Sequence, residues 1–155
     1  MTPAVSLARR LGIAHALHEY EHDPASDSYG LEAAEKLQVM PQRVFKTLVV
    51  SLDGGELAVG VLPVSALLSM KLIAKAAGAR KAVMAEKAAV ERSSGYVLGG
   101  VSPLGQRRKL RTFIHTSARD YPTVYVSAGR RGLEIELAPE DLRRATEGRY
   151  AEICQ

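Results

Sequence analysis

Lys46 is the first residue suited to chemistry, because it interrupts an apolar strand pattern. In the run Val44-Phe-Lys-Thr-Leu-Val-Val-Ser-Leu52, alternation puts Lys46 on one face with Val44, Leu48 and Val50. Burying an ammonium group there is costly unless it meets an anion. The pattern allows two interpretations. The lysine lies near the strand end and its ammonium reaches solvent, or it meets a carboxylate or a phosphate-bearing ligand.

A glycine-rich stretch, Gly95-Tyr-Val-Leu-Gly-Gly-Val-Ser-Pro-Leu-Gly105, is the second candidate. We predict an apolar strand-like run that ends in a bend. Gly99 and Gly100 have no Cβ, so their backbone N–H groups can come close to a ligand. A strand, a bulge and a surface turn are the alternative interpretation.

Glu134 and Glu136 are a pair of carboxylates in the run Leu133-Glu-Ile-Glu-Leu137. The alternation of a strand puts both on the face opposite to the apolar residues. Three roles are open: an acid and base pair, a counter-ion for Lys46, or two surface carboxylates.

The histidines near the start of the chain raise the question of a metal site. In an extended segment His18 and His22 are roughly 13 Å apart, too far to share one ion. We therefore expect no metal and no cofactor. Tyr20 has the same strand parity, so it either lines a pocket or packs in the core. The sequence contains no Ser/His/Asp order, P-loop, dinucleotide fingerprint or zinc spacing.

Basic residues are concentrated in two places. The predicted helix Met70–Ala77 carries Lys71 and Lys75 on one face, and the run from 106 to 111 carries Arg107, Arg108, Lys109 and Arg111. Each is either a solvated surface or a contact for a nucleic-acid backbone. A basic rim after the glycine-rich stretch would suit a phosphate-rich substrate.

The composition bounds the fold class. The chain has 155 residues, 46% of them hydrophobic and 25% charged, which predicts one domain over residues 1–155. Cys154 is the single cysteine, so no intrachain disulfide forms. Without a long apolar run we expect no membrane partner and a cytoplasmic location. The net charge of +4 favours polyanionic partners.

The elements that must position these residues alternate between helices and strands. Thr2 and Pro3 predict a first helix that Gly12 ends, and Asp53-Gly-Gly55 predicts a hairpin. Further helices are predicted at 31–37, 70–77, 85–92 and from 139, and strands at 44–52, 56–63, 112–115, 123–127 and 133–137.

Taken together, the motifs resemble one family. They are Met1-Thr-Pro-Ala4, Tyr20-Glu-His-Asp-Pro24, Lys46-Thr-Leu-Val-Val50, the glycine-rich stretch, and Ser127 with Gly129-Arg-Arg-Gly-Leu-Glu-Ile-Glu-Leu137. This pattern resembles the YbaK family of bacterial Cys-tRNA(Pro) deacylases, which is related to the editing domain of prolyl-tRNA synthetases. The match runs nearly end to end.

The resemblance implies an α/β domain with a curved, mostly antiparallel mixed sheet surrounded by helices. It also implies hydrolysis of cysteine attached to proline tRNA, with the acceptor end of the aminoacyl-tRNA and prolyl-tRNA synthetase as partners. The family's functional lysine falls on Lys46, its pocket tyrosine on Tyr20, its loop glycine on Gly99 and its serine on Ser127. Glu134 stands where the family has aspartate, so its role, pairing with Lys46 or contacting the tRNA terminus, stays open.

The resemblance further suggests that the substrate's own thiol attacks its ester. In that scheme the N–H groups near Gly99 and Gly100 stabilise the oxyanion, and Lys46 anchors the terminal phosphate or ribose. Two alternatives remain: a deacylase that uses water on another small amino acid such as alanine, and a non-catalytic module that binds tRNA or the synthetase.

Overall fold

The computed structural model describes residues 1–26 and 28–155. Its helices are α1 (Pro3–Arg10), α2 (Tyr29–Leu37), α3 (Met70–Ala77), α4 (Lys87–Ser94) and α5 (Pro139–Thr146), with short 3-10 turns at Pro41–Arg43 and Thr116–Asp120. Its strands are β1 (His15–Glu19), β2 (Phe45–Leu52), β3 (Glu56–Pro63), β4 (Ala82–Met84), β5 (Arg111–His115), β6 (Val124–Arg130), β7 (Leu133–Leu137) and β8 (Arg149–Ala151).

The strands form two sheets where a single curved sheet was expected. The smaller sheet is antiparallel with the order β1-β7-β6, and the larger has the order β4-β2-β3-β5-β8. The larger sheet is mixed, because β5 lies parallel to both β3 and β8. The sheets meet where Val44, just before β2, bridges Tyr125 of β6. The predicted α/β class, with helices around mostly antiparallel strands, is confirmed.

Local sequence signals place several boundaries well. The Thr2 hydroxyl accepts a hydrogen bond from the Val5 N–H at 3.3 Å, and Ser69 caps α3 through the Leu72 N–H at 3.1 Å. Gly78 ends α3 at a φ of 71°. The three-residue strands β4 and β8 were not predicted, since such short segments become strands only through pairing with their neighbours.

Alternation along β2 divides its side chains between two cores. Phe45 and Val49 pack with Val126 and Ile135 in the core between the two sheets. The residues of opposite parity face α3 and its core, which is built around Ile73. Because side chains alternate between the two faces of a strand, Lys46 lies on the face that α3 covers further along β2.

The segment from Gly95 to Leu110 is an irregular loop, so the predicted strand-like run is wrong. Tyr96 is buried and its hydroxyl donates to the Leu104 carbonyl at 2.5 Å, while the Leu98 N–H donates to Glu91 at 2.9 Å. These single contacts hold the segment in place, and none of the described strands pairs with it. Leu98 is left exposed.

None of the helices in residues 1–26 and 28–155 has the length and apolar character needed to cross a membrane.

Candidate functional site

A pocket of about 330 Å³ opens where four parts of the chain meet. They are β2, the β6–β7 hairpin, the start of α2 and the irregular loop from Gly95 to Leu110, called the glycine loop below. The pocket brings together five of the residues that the sequence singled out: Tyr20, Lys46, Gly99, Ser127 and Glu134. They come from five separate segments of the chain, so the fold alone makes them neighbours. The rest of the lining includes apolar residues of β2 and of the loop, Phe45, Leu48, Leu98 and Val101.

Lys46 lies at the start of β2, paired across the hairpin with Leu62. Burial lowers the pKa of its ammonium group, with the nearby Cys154 thiol acting in the opposite direction. Among the described residues no carboxylate lies within ion-pair distance of Lys46, so its pairing with Glu134, one of the roles left open, is not made here. The cation is half-buried beside the pocket, where it can meet an anionic part of a ligand.

Glu134 is buried, with 6% of its surface exposed, so it does not lie on the open sheet face that alternation alone suggested. Its cross-strand neighbours are His18 and Ser127. Burial raises the pKa of the Glu134 carboxyl to about 8. At neutral pH it is therefore mostly protonated, and it becomes a carboxylate readily if a cation enters the pocket.

Glu136, on the same strand, behaves differently because it has partners. It accepts hydrogen bonds from Thr123 at 2.5 Å and is bonded to His18 at 2.9 Å. These contacts lower its carboxyl pKa, with the Thr123 bond as the largest cause. The two glutamates are therefore not an acid and base pair that share one site.

Tyr20 and Ser127 frame Glu134. The Tyr20 N–H continues the ladder by donating to the Gly132 carbonyl at 3.0 Å. Burial raises the pKa of the Tyr20 phenol, a backbone hydrogen bond with Gly132 opposes the rise, and the Glu134 charge adds to it. The Ser127 hydroxyl accepts from the Gly129 N–H at 3.1 Å, at the bulge that shifts the β6–β7 register. Strand β6 thus runs to Arg130, beyond the predicted end at Ser127.

The two glycines of the loop have different surroundings. The Gly100 N–H donates to the Val97 carbonyl at 2.9 Å, so in this structure the loop itself uses that donor. A Cβ on Gly100 would lie 2.9 Å from Arg130 Cα, so the loop rests directly on the hairpin. Gly99 lines the pocket, and its N–H has no hydrogen-bond partner among the described residues. Of these two glycines, Gly99 is therefore the one whose N–H no described residue uses.

We expect Gly99→Ala to lose about 1–3 kcal/mol of unfolding free energy and to impair the site. Gly99 has a φ of +99°, and a Cβ there would lie 3.0 Å from the Tyr29 ring. Urea unfolding measures the loss. Gly55→Ala is the matched control, since nothing lies within 4 Å of its added Cβ. Equal stability of the two variants would contradict a constrained loop.

The predicted basic residues do not line this pocket. Lys71 and Lys75 are exposed on α3, as are Arg107 and Arg108 in the loop. Arg108, Lys109 and Arg111 line a separate groove near β4. A tRNA contact by these residues therefore has to lie outside the pocket.

Two residues of the basic run already have acidic partners. Arg111 forms a two-pronged ion pair with Glu56 at 2.8 and 3.0 Å, and Lys109 pairs with Glu147. Such pairs reduce the positive charge that the run offers to a polyanion.

Sequence reasoning missed five polar residues of the pocket: Ser28, Tyr29, Thr47, Arg130 and Arg131. The two arginines follow Ser127 closely in the β6–β7 hairpin. A pocket lined by Ser127 could therefore have been expected to include them. Tyr29 depends on the path of the chain before α2, for which no local pattern exists. Gly30 allows that approach, because a Cβ there would lie 2.3 Å from Val64 Cγ1.

The histidines form pairs with carboxylates. His22 is bonded to the buried Glu32 at 2.7 Å, and His18 to Glu136. In the described part of the chain no three His, Cys, Asp or Glu side chains are grouped so as to hold a metal ion.

A family model of the aminoacyl-tRNA editing domain matches residues 23–145 of this chain. The chain is also similar to a protein of Enterococcus faecalis named "Putative Cys-tRNA(Pro)/Cys-tRNA(Cys) deacylase EbsC". The two are 39% identical over 136 residues, which is 87% of this chain and 83% of that protein.

Two solved structures share the fold. One, named "Crystal structure of a putative trans-editing enzyme for prolyl tRNA synthetase", has a TM-score of 0.79 at 22% identity and covers 96% of this chain and 97% of its own. The other is the hypothetical protein APE2540, with a TM-score of 0.87 at 23% identity and 99% of each chain covered.

Proposed function

The chain belongs to the aminoacyl-tRNA editing domain family, and on this premise we propose that it removes cysteine from mischarged Cys-tRNA(Pro) in trans. The observation that carries the proposal is the composition of the pocket. It combines a cation at Lys46, a buried carboxyl at Glu134 and a backbone donor at Gly99. The similar Enterococcus faecalis protein, named "Putative Cys-tRNA(Pro)/Cys-tRNA(Cys) deacylase EbsC", supports the substrate class.

The pocket favours a nucleophile that the substrate brings. Among the described residues no hydrogen bond joins a pocket hydroxyl to a histidine or lysine base, and the lining contains no histidine. In the proposed reaction the cysteine sulfur attacks its own carbonyl carbon. The ester bond to the ribose breaks, the ribose oxygen leaves and takes up a proton, and water then opens the thiolactone. Because the attack is intramolecular, holding the reactive conformer is the main task of the protein.

Glu134 is assigned to the α-amino group of the substrate. That amine and the Glu134 carboxyl titrate in the same range, near pH 8. One proton shared between them gives either two neutral groups or an ion pair, and neither state leaves an unpaired charge in the pocket. The assignment also gives the buried Glu134 carboxyl, which has no hydrogen-bond partner among the described residues, a partner in the substrate.

Lys46 and Gly99 are assigned to the ester end of the substrate. The half-buried ammonium group can contact the terminal phosphate or ribose, and it stabilises the departing ribose oxygen. The Gly99 N–H can donate to the oxyanion that develops on the carbonyl. Tyr20 and Ser127 hold the walls of the pocket on either side of Glu134.

A thiol requirement accounts for selectivity better than pocket size does. Side chains that differ by one methylene are separated only about 10- to 200-fold by a pocket. Alanine and serine esters have no thiol, so the proposed step is closed to them. Phosphate contacts carry little sequence information, so we expect prolyl-tRNA synthetase to provide the selection of proline tRNA.

The test follows the release of each amino acid from Cys-tRNA(Pro), Ala-tRNA(Pro) and Pro-tRNA(Pro). We expect the purified protein to release cysteine at least about 100-fold faster than alanine, because only cysteine carries the nucleophile. Pro-tRNA(Pro) is the control for general esterase activity. If no ester is cleaved, with or without prolyl-tRNA synthetase, the proposed function is wrong.

The raised pKa of Glu134 favours one second candidate. With a pKa of about 8, the deprotonated fraction of Glu134 near neutral pH is a stronger general base toward water than an ordinary carboxylate. In that case the protein would clear another small amino acid, such as alanine, and Ala-tRNA(Pro) would be cleaved at least as fast as Cys-tRNA(Pro).

A further inference from the structure

Tyr29 and Arg131 form a stacked pair at the pocket. The Arg131 Cζ lies 3.6 Å from the centroid of the Tyr29 ring, so the guanidinium group contacts the ring directly. Both residues line the pocket, and Tyr29 is 40% exposed. An aromatic ring and a planar cation are the two side-chain surfaces on which unpaired RNA bases stack.

Gly99 completes this surface from the third side. A Cβ on Gly99 would lie 3.0 Å from Tyr29 Cε2 and 3.4 Å from Arg131 Cδ. The start of α2, the β6–β7 turn and the glycine loop therefore converge on one small area, which we call the Tyr29–Arg131 shelf. The exposed Leu98 lies next to Gly99 and also lines the pocket.

Unpartnered polar atoms point to a missing ligand at this position. Among the described residues, two buried side-chain atoms have no hydrogen-bond partner, Arg131 Nε and Thr47 Oγ1. Both residues line the same pocket. Buried donors and acceptors are almost always satisfied in folded proteins, so a ligand that supplies an acceptor to Arg131 would resolve the first of them.

We propose that the Tyr29–Arg131 shelf binds the 3′-terminal nucleobase of the substrate RNA by stacking, an inference that rests on the proposed function. A pocket of about 330 Å³ is at the lower end of the range of about 300–1,000 Å³ for small-molecule sites. It suits the aminoacyl ribose and leaves the base to lie at the mouth. Arg130, exposed and also in the lining, lies 3.4 Å from the exposed carboxylate of Glu19, so a neighbouring phosphate would have to share or replace that partner.

The test compares two acceptor-stem RNA minihelices that carry no amino acid. One ends in CCA, and in the other the last nucleotide lacks its base but keeps its ribose and phosphate. We expect the full chain to bind the intact RNA about 10-fold tighter than the abasic RNA, the order of one lost base–aromatic stack. Tyr29→Leu is expected to bind both RNAs equally, at the abasic level. Tyr29→Phe, the matched control, keeps the ring and should keep the preference.

Either of two results would contradict stacking on the shelf. One is a Tyr29→Leu protein that prefers the intact RNA as strongly as the unchanged protein does. The other is an unchanged protein that binds the intact and the abasic RNA equally. Arg131→Met removes the planar cation and serves as the second variant if Tyr29→Leu does not fold in urea titrations. Deacylation of Cys-tRNA(Pro) is measured separately. Base preference without turnover would refute the proposed function only, and turnover without base preference would refute the shelf only.

Discussion

Lys46→Ala is expected to reduce deacylation of Cys-tRNA(Pro) by at least about 100-fold, the scale of losing one group that stabilises a developing charge. Lys46 supplies an ammonium group to the pocket lining, and no described carboxylate pairs with it. Its charge is thus available to the ribose and phosphate end of the substrate. Single-turnover kinetics with saturating protein measures the chemical step directly.

Stability separates a role in the reaction from a role in the fold. Burial lowers the pKa of Lys46, which means that the folded protein disfavours its charge. Removing the charge should therefore leave the free energy of unfolding at pH 7 unchanged or slightly higher. Lys46→Met keeps most of the side-chain volume, and Lys81→Ala, at an exposed lysine outside the pocket, is the control for activity. A fully active Lys46→Met protein would remove Lys46 from the mechanism.

Glu134→Gln is expected to abolish most of the pH dependence of stability between pH 5 and pH 8. The Glu134 carboxyl titrates near pH 4.5 in the unfolded chain and at about 8 in the folded protein. Within that window the folded state holds the proton and the unfolded state does not, so stability falls as pH rises. At about 1.4 kcal/mol per pH unit, the protein should lose about 3 to 4 kcal/mol more than the variant between pH 5 and pH 8.

Urea unfolding of both proteins at pH 5, 6, 7 and 8 tests this expectation. Glutamine mimics the neutral acid, so the variant should be the more stable protein at pH 8 and nearly equal to the unchanged protein at pH 5. Glu136→Gln is the contrasting control. Hydrogen bonds from Thr123 and His18 lower the pKa of Glu136, so its contribution is present at neutral pH and is lost on acidification. Parallel pH profiles for the unchanged protein and Glu134→Gln would show that Glu134 ionises normally.

The sequence predicts the elements of this fold where the signals are local. The Thr2 and Ser69 caps, the Gly78 end of α3 and the Asp-Gly-Gly hairpin each rest on a few adjacent residues, and these elements form where predicted. The glycine-rich segment fails because tertiary anchors, such as the hydroxyl of the buried Tyr96, decide its path. Strand patterning recognises apolar residues but not whether a neighbouring strand is present.

The candidate site likewise has residues that the sequence predicts and contacts that only the folded chain shows. Motif resemblance selected Tyr20, Lys46, Gly99, Ser127 and Glu134, and the fold brings all five to one pocket. Their roles remain proposals. Alternation put Glu134 on the polar face of β7, but it does not reveal that other parts of the chain cover that face. The Tyr29–Arg131 contact joins residues about a hundred positions apart, so only the folded chain shows it.

A substrate without a free thiol distinguishes attack by the substrate's sulfur from attack by water. Single-turnover release is measured for Cys-tRNA(Pro) and for the same tRNA esterified with S-methylcysteine, which differs only in that its sulfur carries a methyl group and no ionisable proton. We expect methylation to slow release by at least about 100-fold, because the intramolecular nucleophile is lost. Equal rates for the two esters would show that water, and not the substrate's own sulfur, attacks the carbonyl.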